Sequence, residues 1–327
     1  MNKNVKYGAF VISLDFELMW GCIDHKTLQS YGAEVEGVWK VIPRMLKIFE
    51  EHQIHATWGV VGLLARKNIN ECIEYQPEVL PRYTEKNLST YEHYSEVKHW
   101  DGKYLFAGDL IECIMRTPFQ EIGSHTYSHY YCVEEGQTKE DFKIDLRLAC
   151  DILRKYTDGI NSLIFPRNQA NEDYLQVLRE YGISNYRGNE KTWFCESNSQ
   201  EVNKQLLRRA LRLADCYFNI SGSHCYDYKE IVEESGLNNI RSSRFFRPYF
   251  KWLAVFEPLR IHRIKKQMKH AAKCGQVFHL WWHPHNFGIN IEQNLRNLCE
   301  IILYYETLHK DYGMASLNME EIGRLVS

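Results

Sequence analysis

The chain has 327 residues, 44% hydrophobic and 25% charged, enough apolar content for a large buried core and ordinary for a globular protein. Its net charge of −2 argues against a whole-molecule nucleic-acid binder. No run approaches the roughly 18 apolar residues of a membrane span, and the ten scattered cysteines, with no Cys-x-x-Cys pair, read as reduced thiols rather than a disulfide frame or a zinc ribbon.

Read in chain order, the apolar run before Asp15 is about seven residues, too short for a secretory leader, and Phe10–Phe16 reads as a first core strand. A helix is expected over Val38–His52 and a strand over Ala56–Leu63. Residues 68–108 are polar and Tyr-rich, an insertion over one face. Asp109–Arg116 reads as a short helix and Phe119–Gly123 as a strand. Thr138–Tyr156 has apolar residues at Phe142, Ile144, Leu146, Ala149 and Leu153, a helix with Thr138 as its N-cap. Ser162–Phe165 is a short buried strand ended by Pro166. Glu172–Tyr181 is a helix closed by Gly182, and Ser184–Arg187 a strand. Residues 190–250 read as a second insertion, irregular apart from a helix near Val202–Leu213. Leu259–Lys273 is a helix stopped by Gly275, Gln276–Trp282 a strand, Ile291–Lys310 a helix and Met314–Leu317 the last strand.

Strands written as apolar runs and alternating with helices imply a parallel sheet covered by helices. With about seven strands and no Gly-x-Gly-x-x-Gly after the first, the expected fold is α/β, a distorted (β/α)7-type barrel of parallel strands, in a single domain over 1–327. Chemistry in such barrels sits at the carboxyl ends of strands. There the sequence places Asp15 and Glu17, then His125 and His129, then Arg167, then His283.

Asp15 and Glu17 are two apart in a strand and share a face. His125 and His129, four apart, point the same way in a helical turn or a tight loop. One of the carboxylates with both imidazoles makes a facial site with open positions, as a hydrolytic metal needs; the set suits zinc first, and also iron, cobalt or nickel. Tyr127, between the histidines, is a candidate for lining a substrate pocket. Of Trp281 and Trp282, one should face the core and the other the site; Trp282 is the substrate-binding candidate, with His285 close by.

Together these residues resemble the polysaccharide deacetylase family (carbohydrate esterase family 4, the NodB-homology domain), over most of Phe10 to Leu317 outside the two insertions. Ser124-His125-Thr-Tyr-Ser-His129 resembles the family's metal motif, and Asp15-Phe-Glu17 its Asp-x-Glu acidic variant. The resemblance implies Asp15 as catalytic base and Glu17, His125 and His129 as ligands of a divalent metal. Phe165-Pro-Arg167-Asn-Gln169 resembles its arginine motif, with Arg167 bracing Asp15. Leu280-Trp-Trp-His283-Pro-His285 resembles its late histidine motif, with His283 as general acid and His285 as runner-up. The backbone N–H of Tyr130 or a neighbour is a candidate oxyanion donor.

The implied activity is metal-dependent removal of acetyl from an N-acetylated sugar, nucleotide-linked, lipid-linked or in an oligosaccharide, in surface-polysaccharide assembly, in the cytoplasm. Two alternatives stay open: a cyclic-amide or N-carbamoyl hydrolase of the same superfamily, and a non-catalytic module that binds glycan or membrane and keeps a vestigial metal site. Residues 241–273 carry ten Lys or Arg against one acid, Glu257, interleaved with Phe245, Phe246, Tyr249, Phe250, Trp252 and Phe256. That pattern suits contact with an anionic membrane or a phosphate-bearing ligand, and equally a solvated helix face beside a buried turn.

Overall fold

The computed structural model describes residues 7–196, 199, 202 and 205–327. Among the described residues nine strands form one sheet: β1 Ala9–Phe16, β2 Ala56–Val60, β3 Gln120–Ser124, β4 Ser162–Ile164, β5 Asn185–Arg187, β6 Asn238–Asn239, β7 Arg244–Phe245, β8 Val277–Trp282 and β9 Ala315–Ser316. Their order is β6-β5-β4-β3-β2-β1-β8-β7 with β9 beside β1, and every pairing is parallel. The two edge strands are consecutive parts of one extended segment. Ile240 N–H donates to Tyr186 O (2.9 Å) on one side, while Phe246 N–H donates to Trp281 O (2.7 Å) on the other. The sheet thus curls into a distorted barrel of seven staves, as expected, with the last stave bent between two neighbours. That stave lies in 190–250, which the sequence reading took for an irregular insertion; pieces two residues long carry no periodicity to read.

Strand parity organises the interior. Along β1, Phe10, Ile12, Leu14 and Phe16 join the large core packed under the helices, whereas Ala9 and Val11 join a smaller cluster with Ile164, Ile240, Val277, Met319 and Ile322. The second row continues upward as Ser13, Asp15 and then Glu17. It is apolar at the barrel foot and polar at the carboxyl end, which leaves the charged residues where a site can open.

The expected helices are present, with shifted ends. The first runs Leu28–Glu51, ten residues longer at its start than its apolar periodicity indicates, because Thr27 and Ser30 form a capping box ahead of a polar first turn. The helix Lys139–Leu153 carries the expected Thr138 cap. Phe119 has φ +68° and lies outside the strand that follows it. A last helix, Met319–Val326, was not anticipated; Asn318 caps it, and Met319 and Ile322 close the barrel foot. Residues 68–108 fold into short helices and turns that bury Tyr83, Tyr91 and Tyr94. No helix among the described residues is long and apolar enough to cross a membrane.

At the foot, Glu121 Oε2 accepts from Thr57 Oγ1 (2.6 Å) and from the N–H of Glu320 (3.0 Å) in the first turn of the last helix. Burial pushes its carboxyl up to about 7, against the pull of these donors. The folded state therefore holds this proton more tightly than the unfolded chain does. Its contribution is complete below pH 4.5 and is lost as pH rises to 7, a change on the order of 3 kcal/mol. Glu121→Gln should flatten that part of the stability profile, as measured by denaturant unfolding between pH 5 and 8; an unchanged slope would show the proton is not held there.

Candidate metal centre and cleft

Glu17, His125 and His129 are buried, and one ligand atom from each lies within 4.8 Å of the others. Glu17 follows β1, and the histidines follow β3, which lies two strands away. Glu17 Oε2 is 3.2 Å from His125 Nε2 and 3.1 Å from His129 Nε2. The far nitrogens determine the tautomers. His125 Nδ1–H donates to the carbonyl of Ile164 (2.8 Å), which can only accept, so the neutral ring presents its lone pair at Nε2. His129 Nδ1 meets Tyr131 OH at 3.1 Å, and Tyr131 OH lies 3.5 Å from Asp24 Oδ1, to which it donates. In its neutral form His129 therefore also carries its lone pair at Nε2. With both rings neutral, two imidazole lone pairs and a carboxylate oxygen face one another, a donor set that fits a divalent cation.

The loop carrying the histidines is held from outside. Asp145 Oδ1 accepts from the N–H of Tyr127 (2.6 Å), and its Oδ2 accepts from Ser128 Oγ (2.5 Å). Gly62 N–H donates to Thr126 O and Leu63 N–H to Tyr127 O, which is why β2 ends at Val60 rather than at Leu63. His129 itself sits at φ +58°, a conformation these bonds impose. The carboxylate is given room by Gly21, where a Cβ would fall 2.0 Å from Glu17 Cδ. Gly21→Ala should displace Glu17 and weaken metal binding about 10- to 100-fold, measured by competition with a chelator; unchanged affinity would remove Glu17 from the ligand set.

Asp15, two residues before Glu17, faces a different partner. Arg187, at the end of β5 and fully buried, donates Nη1–H to Oδ1 (2.6 Å) and Nη2–H to Oδ2 (2.8 Å). The guanidinium also donates to Ser13 Oγ (3.0 Å) and Asn168 Oδ1 (2.5 Å), and the ring of Trp281 lies over it at 4.3 Å. Burial works against the charge on Asp15, yet Arg187 and then His283 hold its carboxyl below the usual range. Burial likewise opposes the charge on Glu17, and His283 and His129 outweigh it, holding that carboxyl well down.

The brace expected of Arg167 is thus made by Arg187. Arg167 donates Nη2–H to Asp24 Oδ2 (2.5 Å), the carboxylate behind Tyr131 and His129, so it supports the histidine loop instead. Arg167 has φ +53°, in a turn forced by Pro166 that swings it off the strand line. The sequence carried a signal for Arg187 in the strand Ser184–Arg187, which ends in a cation like the other polar strand ends.

His283 Nε2 lies between the two carboxylates, 3.7 Å from Asp15 Oδ2 and 3.6 Å from Glu17 Oε1, and is partly exposed. His285 is buried, with Nε2 3.9 Å from Glu17 Oε1 and its ring against Tyr31. Burial and then repulsion from His283 push it down to about 3, so it is neutral. Between them, the turn after β8 touches the first helix at backbone distance: a Cβ on Gly37 would sit 2.0 Å from Gly288 O.

Three expectations are corrected. Trp282 is fully buried against Phe246 and Phe287, on the outward parity of β8; its neighbour Trp281 lines the cleft. Tyr127 is also fully buried, its hydroxyl accepting from Arg66 Nε (2.9 Å), because its side chain turns away from the ligands towards Gly62. The N–H of Tyr130 is spent on Thr126 Oγ1 (2.7 Å).

Asp15, Glu17, His129, Arg167, His283 and His285 all line one cleft of about 540 Å³, within the range of small-molecule sites. The polysaccharide deacetylase profile matches residues 36–186, which include β2, β3 with its histidines, and β4, but not β1 or β8. No curated protein matches the chain significantly. Among solved structures, one from Mycobacterium smegmatis assigned to the polysaccharide deacetylases is 14% identical with a TM-score of 0.61, covering 99% of this chain and 91% of that one. The Puue allantoinase is 12% identical with a TM-score of 0.53, over 97% and 89%. A GH57-type branching enzyme from Pyrococcus horikoshii is 11% identical with a TM-score of 0.50, over 96% and 69%. At such identities the likeness is one of fold. The parallel barrel, the matched profile and the Ser-His-x-x-x-His loop within it agree: over residues 36–186 this chain is similar to the polysaccharide deacetylase family, and its whole fold resembles that of a structure assigned to it.

Proposed function

We propose that the protein is a metal-dependent N-deacetylase of an N-acetylated carbohydrate in surface-polysaccharide assembly. The observation that carries the reading is the division of labour between adjacent carboxylates. Glu17 meets the Nε2 atoms of two imidazoles, while Asp15 is kept ionised by Arg187 and lines the cleft. The polysaccharide deacetylase profile matched by residues 36–186 supports the carbohydrate substrate.

Glu17, His125 and His129 would hold the cation, which when bound supplies Lewis acidity, polarising a carbonyl and acidifying water. Asp15 removes a proton from the attacking water. His283, at the cleft mouth and within 3.7 Å of Asp15, returns one to the departing amine; buried His285 shapes the wall beside it. Arg187 does no proton transfer and orients Asp15 bidentately. Trp281, over Arg187 and beside Phe245 at 4.8 Å between ring centroids, offers an aromatic face for a sugar ring.

The test is acetate release from N-acetyl sugars, nucleotide sugars, lipid-linked sugars and oligosaccharides, with protein stripped by chelator and reloaded with zinc, iron, cobalt or nickel. Release that disappears on stripping and returns on reloading is expected. Ring opening of a cyclic amide without acetate release from any sugar would replace this reading with the cyclic-amide one, for which the allantoinase fold likeness is the motive.

A further inference from the structure

The same cleft is lined by Arg212, Arg244 and Arg247 as well as by Phe245 and Trp281, whose ring centroids lie 4.8 Å apart. Arg244 shares its counter-charge. The buried carboxylate of Asp215 serves both Arg244 Nη1 (2.5 Å) and Arg263 Nη2 (2.8 Å). Burial, and then repulsion from Arg244, push the Arg263 guanidinium down to about 10, as expected of crowded cations. Arg244 is only 6% exposed, and its Nη2 has no partner among the described residues. Arg247 also leaves Nε buried without one among the described residues, and its guanidinium rests on the ring of Phe250 at 5.1 Å. A donor buried without an acceptor costs about 1–3 kcal/mol, so these two side chains are arranged for an acceptor that the chain does not itself provide.

The surface continuing from Arg247 is apolar. Arg260 ties the carbonyl of Arg247 to the helix Glu257–Cys274, and Phe256 at that helix's start packs on Tyr217 with ring centroids 6.0 Å apart. Around this contact Trp252 is 70% exposed and Val255 78%, with Phe218, Ile220 and Leu259 also exposed. Lys251, His262 and Lys266 flank them in solvent. Exposed tryptophan and aliphatic side chains ringed by cations match the boundary between lipid headgroups and acyl chains.

We propose that the arginine-lined part of the cleft is a phosphate subsite, and that the substrate is an N-acetylated sugar on a lipid phosphate, taken from a bilayer on which the Trp252–Val255 surface rests. This rests on the deacetylase reading for the sugar end only. The acetamido group reaches the metal centre, the sugar ring lies along Phe245 and Trp281, and the phosphate lies on Arg244 and Arg247. Lipid is favoured over a nucleotide because the surface that continues from the subsite is apolar and exposed, whereas a base and ribose need polar partners.

Two measurements test it. In the first, metal-loaded protein is floated with phosphatidylcholine vesicles, plain or doped with polyprenyl diphosphate. Recovery is expected only with doped vesicles; Arg247→Gln should abolish the effect of doping, and Trp252→Ser/Val255→Ser should abolish recovery. These side chains make no hydrogen bond within the described residues, so the variants should fold, as checked by thermal melts. Equal recovery with both vesicles, or recovery untouched by both variants, overturns the proposal.

The second measurement compares acetate release from free, nucleotide-diphosphate-linked and polyprenyl-diphosphate-linked N-acetylglucosamine. The lipid-linked form should exceed the free sugar in kcat/KM by at least about tenfold, the worth of one charge-assisted hydrogen bond. Preference for the nucleotide form overturns the lipid assignment, and equal use of free sugar overturns the subsite. Doped-vesicle binding that needs Arg247, without acetate from any sugar, would instead overturn the deacetylase reading and leave the subsite standing.

Discussion

Asp15→Asn should keep its metal and lose acetate release by roughly 10³-fold, within the range that a positioned base contributes. The asparagine has the same shape, and its oxygen can still accept from Arg187. Arg187 also keeps Ser13 and Asn168, so the site should stay assembled. What is lost is the capacity to take a proton. Because Glu17, His125 and His129 are a group able to hold an ion without Asp15, elemental analysis should still find about one ion per chain. Full turnover in this variant would end the base assignment. Loss of metal together with activity would instead mean that Asp15 is a ligand. Glu17→Gln is the natural comparison, since it should lose metal and activity together.

The largest effect on stability should come from Arg187→Met. Methionine fills the volume but leaves the Asp15 carboxylate buried, two residues from a second carboxylate, with no bidentate partner. Breaking one side of a buried ion pair costs about 3–5 kcal/mol, read as a lower denaturant midpoint with unchanged slope. The double variant Asp15→Asn/Arg187→Met should recover part of that loss, because the uncompensated charge is gone. A cost below about 1 kcal/mol for the single change, the value of an exposed pair, would mean that water reaches this bond and that Arg187 is not the residue holding Asp15 in place.

Much of the site was legible because its residues announce themselves locally. Asp15-Phe-Glu17 lies at the end of an apolar run, and His125 and His129 lie just after another; strand period and spacing were enough to pair them. The same parity rule contained the correct choice between the tryptophans. His283 faces inward, so Trp281, two residues before it, must as well, and Trp282 must pack under the helices. Strand period outranks adjacency to His283 in that choice. Tyr127 shows where period stops applying: Thr126 and His129 have φ of +62° and +58°, so the loop is not extended, and Tyr127 packs on Gly62 although it lies between the two histidines.

Arg167 and Arg187 show where local reading ends. Both follow short parallel strands and both are cations, so sequence offers no basis for giving Asp15 to one of them. The turn forced by Pro166 sends Arg167 to Asp24, and only the adjacency of staves around the barrel brings Arg187 to Asp15 across 172 residues. The basic stretch 241–273 divides in the same way. Arg244, Arg260 and Arg263 are drawn inward to Asp215 and Glu257, whereas Lys251 and Lys266 stay in water.

By itself, then, the chain's pattern determined the α/β class, the parallel strands, most of the helices, and the identity of the groups able to bind a metal, because period and local spacing encode which face a side chain takes. The tertiary structure decided which cation braces which carboxylate, how the barrel closes through residues 238–246, and which arginines bury a donor without an acceptor among the described residues. Those outcomes depend on through-space distance between segments far apart in sequence, and no local periodicity carries that information.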